Sequence, residues 1–189
     1  MRIAELDLLV IPGWHDSEPD HWQSRWQARM STARRVSQPD FDAPHRDVWA
    51  NNIADAVRLA TRPVVFIAHS VGVLAAVQAV YALQESEQGA SNVKGAFFVA
   101  PPADAITAAT TPLASFAGIR HTTLPFPSVL VASRSDPFCG YDEAETLSKR
   151  WDAELVDAGD SGHLNVASGH GPWPDGLIRL ASLLRSLSP

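Results

Sequence analysis

The sequence holds one cysteine, Cys139, in 189 residues, so an intramolecular disulfide is excluded and a reducing compartment suits the chain. The thiol reads as a small buried or half-buried side chain. Basic residues are not clustered: the net charge is −6 and the pI about 5.6, which excludes the footprint of a nucleic-acid binder or of a protein held on an anionic membrane. The one basic doublet, Arg34-Arg35, reads as a solvated strand edge. No stretch approaches the ~20 apolar residues of a membrane span. Residues 1–11 are interrupted by Glu5 and Asp7, so no export signal is visible, and a cytoplasmic soluble protein is expected. His15, His21 and His170 have neither an H-x-x-x-H helix nor cysteine partners, so no metal is expected, and no cofactor.

What is present is a hydrophobic fraction of 46%, enough for one domain over residues 1–189 that buries about 70% of its unfolded surface. The chain is organised around Val64-Val65-Phe66-Ile67-Ala68-His69-Ser70-Val71-Gly72, followed by an Ala- and Leu-rich stretch to residue 83. A β-branched and aromatic run reads as a strand buried on both faces, and the stretch behind it as a helix. Ser70 then stands at the apex of a sharp strand-to-helix turn, the context of a nucleophile elbow. Small residues at 68 and 72 let strand and helix approach. The turn strains the backbone of Ser70, sets its Oγ at a helix N-terminus and aims the Val71 N–H at a developing oxyanion.

Other strands are expected at 6–11, 33–37, 95–100, 128–132 and 153–157, alternating with helices at 20–30, 45–60, 142–151 and 177–187. Trp22, Trp26 and Met30 form one apolar face of the first helix. In the second, Val48, Asn52, Asp55 and Leu59 share a face, with Trp49, Ile53, Ala56 and Ala60 beside them. A polar break is expected at 84–89, at most a short cap within 101–127, and a rigid turn at Gly171-Pro172-Trp173-Pro174. The alternation predicts an α/β fold: a three-layer α/β/α sandwich around about six mostly parallel strands. Ligands of such sheets sit beyond the carboxyl ends of the strands.

Three chemically matched side chains leave those ends: Ser70, Asp136 and His163. Their chain order is that of an α/β-hydrolase. A serine hydroxyl needs a neutral imidazole to take its proton, which assigns His163 as general base and then acid. Asp136 would accept from the other ring nitrogen and fix its tautomer. The second oxyanion donor is expected from the loop after the first strand, where Gly13 lets the chain turn and the Trp14 N–H points in. His69 reads as structural. Gly13, Trp14, Phe138 and Leu164 are expected to border the substrate.

Leu-Val-Ile-Pro-Gly-Trp-His-Asp-Ser with His21-Trp22-Gln23, the Ala-His-Ser-Val-Gly elbow, Ser-Arg-Ser-Asp-Pro and Gly-His-Leu-Asn-Val-Ala-Ser-Gly-His-Gly-Pro-Trp-Pro resemble the small serine hydrolases grouped with retinoblastoma-binding protein nine. The resemblance spans nearly the whole chain. It implies a minimal α/β-hydrolase with a triad at Ser70, Asp136 and His163 and an esterase-type activity. Ala68 departs from the glycine that opens the family's elbow, and its methyl is expected to add about 1 kcal/mol of crowding and shift Oγ slightly. The expected function is hydrolysis of a small carboxylic ester, thioester or amide through an acyl-enzyme. The alternatives are a hydrolase-fold binding or scaffold protein that lacks the activity, and a dehalogenase, which would want a carboxylate at position 70.

Overall fold

The computed structural model describes residues 3–84, 92–119 and 122–187. From residue 85 on, the polar break expected at 84–89 lies outside the described residues. Six strands, β1 (Asp7–Ile11), β2 (Ala33–Arg35), β3 (Val64–His69), β4 (Val93–Val99), β5 (Ser128–Ala132) and β6 (Glu154–Asp157), form one sheet in the order β2-β1-β3-β4-β5-β6. Every adjacent pair is parallel. The strands read as unbroken apolar runs because both faces are covered: all six residues of β3 are buried.

The period of two divides those runs between two cores. Leu9, Ile11, Phe66, Ala68, Phe98 and Leu130 face helices α2 (Arg46–Arg58), α3 (Val71–Gln84) and α5 (Tyr141–Trp151). Leu8, Val65, Ile67, Phe97, Val99 and Val131 face α1 (Trp22–Arg29) and α6 (Pro174–Ser186). This is the expected three-layer sandwich. Burying each large apolar side chain contributes about 1.5–3 kcal/mol, so the two cores supply most of what holds the layers together.

On α1, Trp22 and Trp26 are buried as their spacing predicts and meet Trp173 at ring-centroid distances of 5.1 and 5.8 Å. On α2 the buried stripe is Trp49, Ala50, Ile53, Ala54 and Val57. Val48 and Leu59 share a face, as expected, and it is the exposed one. The helix has one buried apolar stripe, which packs chiefly on α3, and Asn52 and Asp55 lie on the far side with Val48 and Leu59. Arg34-Arg35 lies on edge strand β2, but Arg35 is not solvated. Its guanidinium pairs with Asp16 and donates to Ser24 Oγ, Gln27 Oε1 and the Ser17 carbonyl. Between β4 and β5 lie α4 (Asp104–Ala109) and a 3-10 turn, Thr111–Phe116. Among the described residues no helix is long and apolar enough to cross a membrane.

Strand order reverses between β1 and β3: the chain runs outward from β1 to β2, then returns to β3 on the other side of β1. A crevice opens beyond the carboxyl ends at such a switch point. Ser70 leaves β3 there and Gly13 leaves β1.

Candidate active site

Ser70 sits between β3 and α3 with φ +55°, a left-handed conformation costly for a residue with a Cβ. Its own N–H donates to the Val99 carbonyl (3.0 Å) and its carbonyl accepts from the Val73 N–H (2.9 Å), so the elbow is held from both sides. Gly72 is required next: a Cβ there would stand 2.3 Å from the Pro12 carbonyl oxygen and 2.7 Å from that of Ile11. Gly13 is required for the matching reason, since its Cβ would come within 2.8 Å of Ser70 Cβ. The two loops therefore touch backbone to backbone. Ala68 is fully buried in the core beneath the elbow. With its methyl in place, Ser70 Oγ still lies 3.0 Å from His163 Nε2.

His163 is carried by a loop whose shape is overdetermined. Gly162 at φ +55° packs on Ser168, where a side chain would clash at 2.6 Å. Asn165 and Ser168 form a capping box. Two ring N–H groups then hold the loop from below: His69 Nε2 donates to the His163 carbonyl and Trp22 Nε1 to the Leu164 carbonyl, each at 2.9 Å. The imidazole of His163 presents Nδ1 to Asp136, at 3.0 Å from Oδ2 and 3.1 Å from Oδ1. A carboxylate only accepts, so Nδ1 carries the proton and Nε2 accepts from the Ser70 hydroxyl. Asp136, in the loop after β5, has a side chain only 2% exposed, and Oδ1 also accepts from the Phe138 N–H at 2.9 Å. The sequence-predicted trio, spread over 94 positions, is one hydrogen-bonded chain in space.

His69 is sandwiched between His163 and His21, with ring centroids 4.8 and 4.9 Å away. Burial, with smaller contributions from those neighbours, holds its pKa well below the ordinary histidine range. It is therefore neutral, and its Nε2–H is spent on the His163 carbonyl, while the ring nitrogen on Ser70 Oγ is that of His163. His21 is lowered from 6.5 to about 4, chiefly by burial and then by the charge of Arg35. The Cys139 thiol is buried and pushed up to about 12, so it is inert as a nucleophile.

Of the residues expected around the substrate, Gly13 abuts Ser70, and Phe138, 42% exposed, stands edge-on to His163 at 4.7 Å. The half-buried Trp14 stacks on His15 at 4.2 Å and donates its Nε1–H to the Asp42 carbonyl. Leu164 does not border a cleft. It is 0% exposed among Trp22, Trp26 and Trp173, because its φ of +52° turns the side chain under the loop. The Val71 N–H opens α3, where first-turn donors have no helical partner. Among the described residues the Trp14 N–H meets no backbone acceptor. His15 pairs with Asp42 at 2.8 Å and His170 with Ser168 at 3.3 Å. Among the described residues no group of three His, Cys, Asp or Glu is placed to hold a metal.

Gln23 and the indole N–H of Trp22 also brace the site, and no catalytic motif marks them. Their signal was position: Gln23 precedes Trp26 by three on a helix whose inner face is tryptophan, so a polar side chain there must be paired.

The serine hydrolase family model matches residues 8–182. The chain is similar to the crystal structure of a YdeN-like hydrolase from Pectobacterium atrosepticum, with 34% identity, coverage of 98% of this chain and 94% of that one, and a TM-score of 0.85. The product of the ydeN gene of B. subtilis shares 18% identity over 96% and 100% of the two chains at a TM-score of 0.78. Est1E from Butyrivibrio proteoclasticus, solved with ferulic acid bound, shares 12% identity over 96% and 90% at 0.70. These last two show the common α/β-hydrolase fold. No curated protein matches the sequence.

Proposed function

The chain belongs to the serine hydrolase family, and from that premise we propose that it hydrolyses a small carboxylic ester through an acyl-enzyme on Ser70, His163 and Asp136. The observation that carries the reading is the unbroken relay from Ser70 Oγ through His163 to Asp136, with hydrogen bonds of 3.0 Å on both sides of the imidazole. Ser70 Oγ attacks the acyl carbon while His163 Nε2 takes its proton, and Asp136 stabilises the imidazolium. The carbonyl π electrons move to oxygen, met by the Trp14 and Val71 N–H groups. Collapse of the tetrahedral adduct expels the alcohol, which leaves with the proton from His163. Water then repeats the sequence on the acyl-serine, and the acid departs with Ser70 restored.

A thioester or an amide fits the same steps. Phe138 and Trp14 would flank the substrate, and the two short helical pieces between β4 and β5 would act as the cap of a single domain. The grouping with retinoblastoma-binding protein nine is part of this reading and rests on the motif at 162–174, in which Gly162 packs on Ser168 and Gly171 on the Asp20 carbonyl. A cytoplasmic setting belongs to the same reading, supported by the lone buried cysteine.

Turnover of a short p-nitrophenyl ester tests the proposal. Ser70→Ala and His163→Ala should each lower kcat by about 10⁴-fold or more. Wild-type rates in either variant would remove it.

A further inference from the structure

Gln23 is fully buried, yet its amide is fully used. Nε2 donates to the Ile11 carbonyl at 3.1 Å and to the Ile67 carbonyl at 2.9 Å, and Oε1 accepts from Ser17 Oγ at 2.7 Å. Ile11 ends β1 and Ile67 precedes Ser70 by three on β3, so one side chain ties together the ends of the two strands that flank the crevice. Ser17 closes the loop that Ile11 opens. Gln23 thus holds both ends of the Pro12–Asp16 segment, the one that carries Trp14. From the other side the same backbone is pressed by Gly72, against the Ile11 and Pro12 carbonyls, and by Ser70, against Gly13. Within this loop His15 and Asp16 adopt φ of +66° and +64°, conformations that persist only when the surroundings impose them.

We propose that Gln23 is a positioning residue that sets the distance of the Trp14 N–H from Ser70 Oγ and so the strength of the oxyanion site. The inference rests on the serine-hydrolase reading above. An N–H displaced by a few tenths of an ångström still binds substrate but no longer meets the oxyanion, so the loss falls on kcat rather than KM. Trp22, the adjacent residue, holds the His163 loop instead. The two neighbours on one helical turn therefore divide the work, one on the oxyanion donor and one on the base.

The test compares a p-nitrophenyl ester with its thionoester, whose sulfur gains little from N–H donors, in folded wild type, Gln23→Met, Ser17→Ala and Trp22→Phe. Gln23→Met should lower kcat/KM on the oxoester by about 10- to 100-fold with KM nearly unchanged. The thionoester should change less than about threefold, so the oxo-to-thiono ratio collapses. Ser17→Ala, which removes only the loop-end contact, should shift that ratio the same way by about threefold, and it carries the test if Gln23→Met does not fold. Trp22→Phe should lower both substrates together and leave the ratio intact. A ratio unchanged in both Gln23→Met and Ser17→Ala, or one shifted equally by Trp22→Phe, would overturn the inference. If wild-type turnover survives Ser70→Ala, the underlying functional reading fails instead.

Discussion

The two ends of the sheet are built on opposite terms. Among the described residues six non-glycine positions have positive φ, and five of them, His15, Asp16, Ser70, Ala100 and Leu164, lie in loops at the carboxyl end. The sixth, Asp152, merely closes α5 in the left-handed conformation common at helix C-termini. The amino end carries a buried carboxylate, Asp7, held by Arg34 at 3.2 Å and Arg62 at 3.1 Å, with the Asp7 N–H bonded to the Pro63 carbonyl. Backbone strain is concentrated at the rim that holds Ser70 and His163, while the amino end is tied by a buried carboxylate between two arginines. The lesson is that the scaffold tolerates roughly 1–3 kcal/mol per strained residue at one rim because the cores and the opposite rim over-determine the fold.

That contrast can be broken most sharply at Gly13. Adding one methyl, Gly13→Ala, forces the loop off Ser70, and kcat/KM should fall about 100-fold while the melting temperature moves by only a few degrees. Steady-state kinetics with thermal unfolding on the same sample checks both halves. Acid is the next lever. His21 and His69 are buried neutral, with His21 at about 4 against 6.5 when unfolded, so the unfolded chain binds a proton that the folded chain refuses. Stability is then full above pH 6.5 and declines as the pH falls towards 4, by roughly 2–3 kcal/mol for His21. His21→Asn keeps an acceptor for the Gln23 N–H that His21 Nδ1 now caps, and should flatten that decline in denaturant titrations.

At the amino end the loss falls on stability and not on activity. Asp7→Ala leaves two half-exposed arginines without their buried acceptor and should cost about 2 kcal/mol of stability, with kcat/KM of the folded enzyme unchanged. The smallest effect is expected from relaxing the elbow itself. Ser70→Gly removes the Cβ from a φ of +55° and should raise stability by about 1 kcal/mol while abolishing turnover.

Much of this is legible in the sequence. Strand β5 lies at the expected 128–132, and the meeting of Ser70, Asp136 and His163 follows from one rule, that the loops leaving parallel strands collect at one rim. What failed did so for local reasons. Leu164 follows a catalytic-looking histidine in a polar loop, so its burial depends on a positive φ that no periodicity encodes. Arg35 reads as an edge residue until Asp16, nineteen positions earlier, folds back to meet it. Gln23 is the instructive miss, because a polar residue on a buried helical face matters through carbonyls contributed by strands 12 and 44 residues away.

Covalent labelling reaches the relay that converges on Ser70 directly. Treat the protein with a fluorophosphonate, follow the rate, and map the adduct by peptide mass spectrometry. A single adduct on Ser70, forming at least about 100-fold more slowly in His163→Ala, is the predicted result. An adduct on another residue, or an undiminished labelling rate without the imidazole, would contradict the account.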